Sequence, residues 1–319
     1  MKNHYKTVKS IIKIFKNRFG HFRAGWRIFF YIVFIVVLFR LIDLFGNSFL
    51  IQGDNLSDYS LLWNRFVDKF FKLIIVLIPG IVLLKWVDKR PITLLGTGCY
   101  KGFLRELVIG MIMGLIMGSV CVCILWLTGW ASFSFNQFSM DMLLYVLSCL
   151  VILIISASYE EILFRGYVFQ SLIEGSNFWI TLVIFSLLFG ASHIDNPEIT
   201  TLGLVFTVVA GVFLGVIYFK TRALWMCIGV HFMWNWTMAV FGMGISGSPF
   251  LRRSLFSYKP SEAGFMGGAD AISELIQIFI MFVLTIYIWK VNWLKPVEYN
   301  KKLWEKYPAK YGALPDKSE

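Results

Sequence analysis

The sequence has few charged residues for its length. Asp, Glu, Lys and Arg make up only 15% of its 319 residues, whereas soluble domains are about 25% charged. Hydrophobic residues make up 58% of the chain, and the mean hydropathy is +0.70. This composition excludes an ordinary soluble protein and indicates a polytopic helical membrane protein. The apolar runs, such as FFYIVFIVVLF at 29–39, lack the period-two alternation that a transmembrane β-barrel requires.

Acidic residues are absent before Asp43, whereas basic residues recur from Lys2 to Arg27. Because apolar residues recur at helical spacing among these lysines, residues 1–25 are predicted to form a basic amphipathic segment on the inner membrane surface. A second basic region is the predicted cytoplasmic tail, residues 294–319. These two regions carry most of the net charge of +11. They predict a bilayer with anionic headgroups as the partner, and not nucleic acid.

The five cysteines are an odd number and lack zinc-finger spacing. All of them lie in or beside apolar runs, so we expect them to be buried small hydrophobic residues. They are Cys99, Cys121, Cys123, Cys149 and Cys227.

Eight apolar stretches approach the roughly 20 residues that a membrane-spanning helix needs. No linker is long enough to separate domains, so residues 26–293 are predicted to form one all-α membrane bundle of about eight transmembrane helices. The predicted spans are 26–46, 67–87, 107–128, 141–160, 178–193, 200–219, 224–243 and 272–293.

The charges in the loops predict the orientation of the bundle. The basic N-terminus and the basic loop 88–106 indicate the inner side, whereas loop 129–140 lacks Lys and Arg and indicates the outer side. Loop 244–271 carries three basic residues and is the exception to the pattern. Eight spans with both termini in the cytoplasm fit the remaining loops, in a multi-pass protein of the cell membrane.

Glycines recur every fourth residue in two of the predicted spans. Gly110, Gly114 and Gly118 lie on one face of the third span, and Gly211 and Gly215 share a face of the sixth. Such faces predict close packing between helices.

Polar residues that a membrane helix tolerates poorly occur at three places. The segment EEILFR contains Glu160, Glu161 and Arg165, the fifth span ends at His193, and GVHFMWNW contains His231 and Asn235. An ionisable residue inside a membrane indicates a functional site. Two pairs, Glu161 with Arg165 and His231 with Asn235, are spaced i, i+4 and therefore share helix faces. Glu160 is rotated by about 100° from Glu161, so one glutamate can pair with the arginine while the other acts elsewhere.

Amide hydrolysis needs these types of residue in an apolar cavity. A carboxylate can deprotonate water and return the proton to the leaving amine, while neighbouring donors stabilise the oxyanion. Two histidines and a carboxylate can instead bind Zn²⁺ and leave a position for water. The ligands would then be Glu160, His193 and His231. The predicted spans place Glu160 and His193 at opposite ends of antiparallel helices, so a common site requires the fourth helix to continue past Glu160.

The three segments together resemble the CPBP family of intramembrane proteases, which includes CAAX prenyl endopeptidases and the Abi-type bacteriocin-processing and self-immunity proteins. The EExxxR pattern is matched by Glu160, Glu161 and Arg165. The FxxxH pattern is matched by Phe189 and His193, and HxxxN is matched by His231 and Asn235. The resemblance covers roughly residues 141–243.

The resemblance implies an intramembrane endopeptidase with an eight-helix bundle and a site that opens to the membrane. It implies that Glu160 and His193 activate a water molecule and that His231 and Asn235 stabilise the oxyanion. The family carries the name metalloprotease, although a metal-free glutamate mechanism is also argued for it. The expected substrate is a membrane-associated peptide or protein.

Two other classes of function remain open. One is a non-proteolytic immunity or regulatory protein that keeps the protease fold. The other is a proton-coupled transporter, which the absence of a second EExxxR or HxxxN segment disfavours.

Overall fold

A computed structural model describes residues 15, 22–53, 56–247, 253–261 and 269–306. Most of the predicted segment 1–25, and residues 307–319 of the predicted tail 294–319, therefore lie outside the described residues. The helices are α1 (Ala24–Gly46), α2 (Asp58–Val82, continued by a π-helical turn at Leu83–Val87), α3 (Phe103–Leu127), α4 (Met140–Arg165), α5 (Tyr167–Gly175), α6 (Phe178–Ala191), α7 (Thr201–Thr221), α8 (Trp225–Val240), α9 (Ala269–Lys290) and α10 (Glu298–Lys306).

The all-α membrane bundle predicted from the sequence is confirmed. Helices occupy all eight predicted stretches, and five helical segments are long and apolar enough to cross a membrane. The number of eight membrane crossings stays a prediction. The five segments are Asp58–Val87, Phe103–Leu127, Met140–Gly175, Thr201–Thr221 and Asp270–Lys290.

Two helix boundaries differ from the prediction. Hydropathy ends a predicted span at the first polar residues, whereas the backbone can remain helical through them. Helix α2 begins at Asp58 rather than at residue 67, after Ser57 caps its N-terminus by accepting a bond from the Ser60 amide. Helix α4 continues past Glu160 to Arg165. An ion pair within its last turn neutralises the charges there, so the helix can continue among apolar neighbours.

Close contact between α3 and α8 depends on the predicted glycine face of α3. A Cβ added at Gly110 would lie 2.4 Å from the Met226 carbonyl oxygen, and one at Gly114 would lie 2.5 Å from that of Val230. On the other side, a Cβ at Gly229 would lie 2.4 Å from the Leu107 carbonyl oxygen. The backbones of the two helices therefore touch, as small-residue faces allow.

The predicted glycine face of α7 packs in the same way against α6. A Cβ added at Gly211 would lie 2.8 Å from Ser186 Cα, and one at Gly215 would lie 2.5 Å from a methyl group of Leu182. His193 follows α6 and His231 lies on α8, so each of these two contacts involves a helix that positions a candidate histidine.

Large apolar side chains cover much of the outer surface, as expected of a bundle in lipid. Examples are Ile112 on α3 and Phe279 on α9, whose side chains are 52% and 67% exposed. Cys121, Cys149 and Cys227 are buried as predicted, but the prediction is wrong for Cys99 and Cys123, which are exposed. Cys99 lies in the loop before α3, and Cys123 lies on α3 two residues beyond Cys121.

Two short antiparallel strands, which were not predicted, join the loops at one end of the bundle. Strand β1 (Ala131–Phe135) pairs with β2 (Phe256–Pro260), so that Ala131 lies opposite Pro260. The Phe256 ring stacks on Phe241 at 4.7 Å between ring centres, which closes the end of α8.

A buried charge cluster joins α1, the loop after α2, and α5. The Arg27 guanidinium lies 2.7 Å from an Asp88 oxygen and 2.5 Å from a Glu174 oxygen, and its Nε donates to the Tyr167 hydroxyl at 3.2 Å. Arg90 also donates to Glu174. The two cations, Arg27 and Arg90, balance the charge of the two carboxylates. This balance reduces the free-energy cost of burying Arg27 and Asp88.

A larger side chain at Gly114 is expected to destabilise the bundle. Because its Cβ would meet the backbone of α8, Gly114→Val should lower the free energy of unfolding by about 1–3 kcal/mol or more, as overpacking does. Thermal unfolding in detergent, followed by circular dichroism, measures this. The matched control is Ile116→Val, since Ile116 lies on the same helix with a 56% exposed side chain. Equal melting temperatures for the two variants would contradict the prediction.

Candidate active site

The centre of the site is the buried ion pair at the end of α4. Arg165 donates to Glu161 across one helical turn at 3.1 Å, and both side chains are fully buried. The second guanidinium nitrogen donates to the Gly211 carbonyl at 3.2 Å. The glycine that brings α6 and α7 together thus also supplies an acceptor for the arginine. The predicted i, i+4 pair is therefore present.

His231 of α8 lies between the two adjacent glutamates of α4. Its Nδ1 lies 2.9 Å from Glu161 Oε1, and its Nε2 lies 3.6 Å from Glu160 Oε2. A carboxylate only accepts, so Nδ1 carries the proton in the first contact. Glu161 therefore links Arg165 to His231, while Glu160 faces the other nitrogen of the same ring.

Glu160 is less buried than Glu161 and has different neighbours. Its side chain is 15% exposed, against 0% for Glu161. Besides His231, Glu160 accepts from the Ser156 hydroxyl at 3.4 Å, one turn earlier on α4. The angular separation of the two glutamates predicted that their contacts would differ, and they do. Arg165 holds Glu161, whereas Glu160 is open to the site.

A cation beside the site, Lys69 of α2, was not predicted from the sequence. Its ammonium lies 5.4 Å from the centre of the Tyr159 ring, within electrostatic range of Glu160. One Asp68 oxygen lies 3.6 Å from Lys69 and 2.9 Å from Lys72, so a single carboxylate neutralises two ammonium groups. The available signal was a run of charge inside the second predicted span.

Phe189 of α6 contacts three of the predicted site residues. Its ring centre lies 4.5 Å from Arg165 Cζ, 5.0 Å from the His193 ring and 6.0 Å from the His231 ring. The guanidinium over the ring is a cation–π contact. The phenylalanine of the FxxxH segment therefore packs between the arginine and both histidines, which joins His193 to the rest of the cluster.

His193 lies just beyond the end of α6, and its tautomer follows from its contacts. Nδ1 is 2.7 Å from the Phe189 carbonyl oxygen and 3.2 Å from the Ser192 hydroxyl. Since a carbonyl oxygen accepts only, Nδ1 carries a proton, and Nε2 of a neutral ring has an unshared pair. His231, and not His193, is the histidine in direct contact with Glu160.

Asn235 lies one turn after His231, and both line a cavity bounded by α6, α7, α8 and α9. The cavity contains about 380 Å³ of empty space, counted to its open mouth. The amide and the imidazole therefore face the same space. All six predicted site residues thus lie in one region: four by direct contact, His193 through Phe189 and Asn235 through the cavity.

The predicted zinc ligands do not fit a metal site in this arrangement. Among the described residues, no group of three His, Cys, Asp or Glu side chains is positioned to hold a metal ion. Nδ1 of each histidine is committed, in His193 to the Phe189 carbonyl and in His231 to Glu161, so only the Nε2 atoms could contact a metal ion.

Carboxylates, histidines and an amide thus lie close together within an apolar helical bundle. Residues 142–237 match the family model described as type II CAAX prenyl endopeptidase, Rce1-like. The resemblance predicted from the three segments is confirmed by this match. The match supports a CAAX-type intramembrane protease.

Two proteins of Bacillus subtilis (strain 168) are similar to the chain. "Uncharacterized protein YyaK" is 27% identical over 233 residues, which are 68% of this chain and 77% of that protein. "Putative membrane peptidase YdiL" is 33% identical over 82 residues, which are 26% of this chain and 32% of that protein. The second alignment covers about a third of the relative.

Removal of the arginine is expected to destabilise the protein more than removal of the whole ion pair. Arg165→Met leaves Glu161 buried without its cation, which should cost about 3–5 kcal/mol of unfolding free energy. The double variant Glu161→Gln, Arg165→Met should recover part of this loss. Thermal unfolding in detergent measures both, with Lys72→Met as the control for a more exposed ion pair. A single variant as stable as the wild type would contradict the prediction.

Proposed function

We propose that the protein is a membrane-embedded endopeptidase that hydrolyses a peptide bond of a membrane-associated protein or peptide. The observation that carries the proposal is the contact of Glu160 with His231, which is held in turn by the buried Glu161–Arg165 pair. In this arrangement a partly exposed carboxylate adjoins an oriented imidazole, and that imidazole lines the cavity. The match to the Rce1-like family supports the same chemistry.

In the proposed mechanism, Glu160 is the general base and then the general acid. It takes a proton from water as the oxygen attacks the substrate carbonyl, and it returns that proton to the nitrogen of the leaving amine. The same carboxylate thus completes the proton balance of hydrolysis. Its partial exposure leaves space for a water molecule, whereas Glu161 is fully buried.

His231 and Asn235 are the proposed oxyanion donors. Their spacing of one turn directs both side chains into the cavity. Because Nδ1 of His231 is committed to Glu161, donation to an oxyanion requires a proton on Nε2 as well. The doubly protonated ring is stabilised by carboxylates on both sides. Glu161 and Arg165 are therefore positioning residues, which act through His231.

His193 is proposed to hold the attacking water. Its Nδ1–H is directed to the Phe189 carbonyl, so its Nε2 accepts. The water would be held by His193 and deprotonated by Glu160. Phe189 fixes the position of the His193 ring.

The site is proposed to act at the level of the bilayer in the cell membrane, with both termini of the chain in the cytoplasm. The substrate is a peptide or membrane protein, as in processing of a bacteriocin leader or of another membrane-bound peptide. A non-proteolytic immunity or regulatory role is the alternative, and loss of the carboxylate distinguishes the two.

Neutralisation of Glu160 is expected to abolish hydrolysis. Glu160→Gln keeps the shape of the side chain but removes the base, so cleavage should fall by about 10²–10⁴-fold. Purified protein in detergent with a quenched fluorescent peptide library measures the rate. Glu198→Gln, at an exposed acidic residue, is the control. Cleavage that survives in Glu160→Gln would remove Glu160 from the mechanism, and a wild-type phenotype kept by this variant in cells would favour the non-proteolytic role.

Chelation is expected to leave the rate unchanged, because the described residues offer no cluster of three metal ligands. Cleavage is measured before and after treatment with 1,10-phenanthroline, and again after addition of Zn²⁺. A loss of activity that Zn²⁺ restores would show instead that a metal completes the site.

A further inference from the structure

The cavity beside His231 and Asn235 has walls that the proposed hydrolysis does not use. We call it the flanking pocket and define it by His231 and Asn235 at its polar side and by Ala210, Phe213, Trp234 and Met281 at its apolar side. Five of these residues lie within the matched segment, on α7 and α8, and Met281 comes from α9, beyond residue 237.

The chemistry of the pocket walls favours an uncharged apolar group. Among the described residues that line it, His231 is the only one with an ionisable side chain. The Thr207 hydroxyl also lines it but donates to the Leu204 carbonyl at 2.8 Å, which satisfies that donor. A cation entering such a pocket would lose its hydration without a carboxylate among the lining residues, and an anion would meet only His231, whose ring already lies between two carboxylates.

The walls also limit the length of the occupant. Phe213, Leu214 and Met281, which line the pocket, are all less than 5% exposed. Their side chains belong to the packed interior of the bundle and not to its lipid-facing surface. Packed side chains therefore close the pocket on that side, which favours the side chain of one amino acid over a long lipid chain.

We propose that the flanking pocket binds the side chain of the substrate residue that contributes the attacked carbonyl, and that this residue is a large, unmodified apolar amino acid. The inference rests on the proposed function, because it places the carbonyl oxygen at His231 and Asn235. The side chain and the carbonyl of one residue are separated by only two bonds. A carbonyl held by the polar side of the pocket therefore directs its own side chain toward the apolar side.

Two residues determine the size of the pocket. Ala210 is 7% exposed on α7, and a longer side chain there would fill the space. Met281 is 4% exposed on α9, and its truncation would enlarge the space. Neither residue belongs to the proposed catalytic group, so their effect should fall on substrate preference.

Peptide binding to Glu160→Gln in detergent tests the pocket without turnover. The probes are fluorescent peptide libraries in which one position at a time is fixed as Ala, Leu, Phe, Asp or S-farnesyl cysteine. At one position, Leu or Phe should bind about tenfold more tightly than Ala, in the range that apolar pockets discriminate. Asp should bind more weakly than Ala, and S-farnesyl cysteine no more tightly than Leu.

Pocket variants in the same background then test the walls. Ala210→Leu should reverse the preference toward Ala, and Met281→Ala should increase the preference for Phe over Leu. The control is Val205→Leu, on the same helix as Ala210 but with a 48% exposed side chain. Because Met281→Ala only removes atoms, it still tests the proposal if Ala210→Leu does not fold.

The outcomes separate the two proposals. Equal binding of all libraries, tightest binding of S-farnesyl cysteine, or an unchanged preference in both pocket variants would overturn the pocket proposal. Wild-type cleavage in any of these cases would leave the proposed hydrolysis intact. Selective binding by Glu160→Gln, with no cleavage by the wild type, would support the pocket and overturn the hydrolysis.

Discussion

The buried pairing of Glu161 with Arg165 is the interaction on which the rest of the site depends. Two charges buried within one helical turn are costly unless the neighbouring groups form favourable contacts with them. The Gly211 carbonyl accepts from the arginine, the Phe189 ring lies against its guanidinium, and Nδ1 of His231 donates to the glutamate. Three helices are thereby joined to α4 through one ion pair, and each contributes a part of the site.

Glycine makes this arrangement geometrically possible. The contacts of Gly110 and Gly114 bring α3 within backbone distance of the turn of α8 that carries His231. Gly211 has two roles, since it lets α7 approach α6 and presents its carbonyl to Arg165. In a bilayer, close packing of this kind replaces the hydrophobic effect as the cause of helix association. Close backbone contacts between helices therefore set the position of the polar cluster.

Local features of this protein could be predicted from its sequence, whereas contacts between helices could not. Hydropathy located the helices, and the i, i+4 spacing predicted the pair of Glu161 with Arg165. The three segments predicted the family resemblance. Each of these signals lies within a few residues along the chain, where helical geometry relates sequence to space.

The contact of His231 with Glu160 depends on the relative depth and rotation of two helices, which no local pattern records. The same holds for Lys69, whose reach toward Tyr159 depends on how α2 packs on α4. The boundary of α4 was missed because the end of the helix is polar in sequence, whereas in the fold Glu161 pairs with Arg165 and Glu160 lies beside His231 of α8. The strand pair was missed because each strand alone is a short segment in a loop.

The charge cluster around Arg27 has a consequence for the order of assembly. Arg27 is made early in synthesis, but its partner Glu174 follows 147 residues later. At the usual 5–20 residues per second of translation, the interval is roughly 7–30 s. During this interval Arg27 lacks Glu174, one of the two acidic partners that it has in the finished bundle. Of the two carboxylates beside Arg27, only Asp88 can be made within that interval, so the balanced charge cluster can form only after α5 has been synthesised.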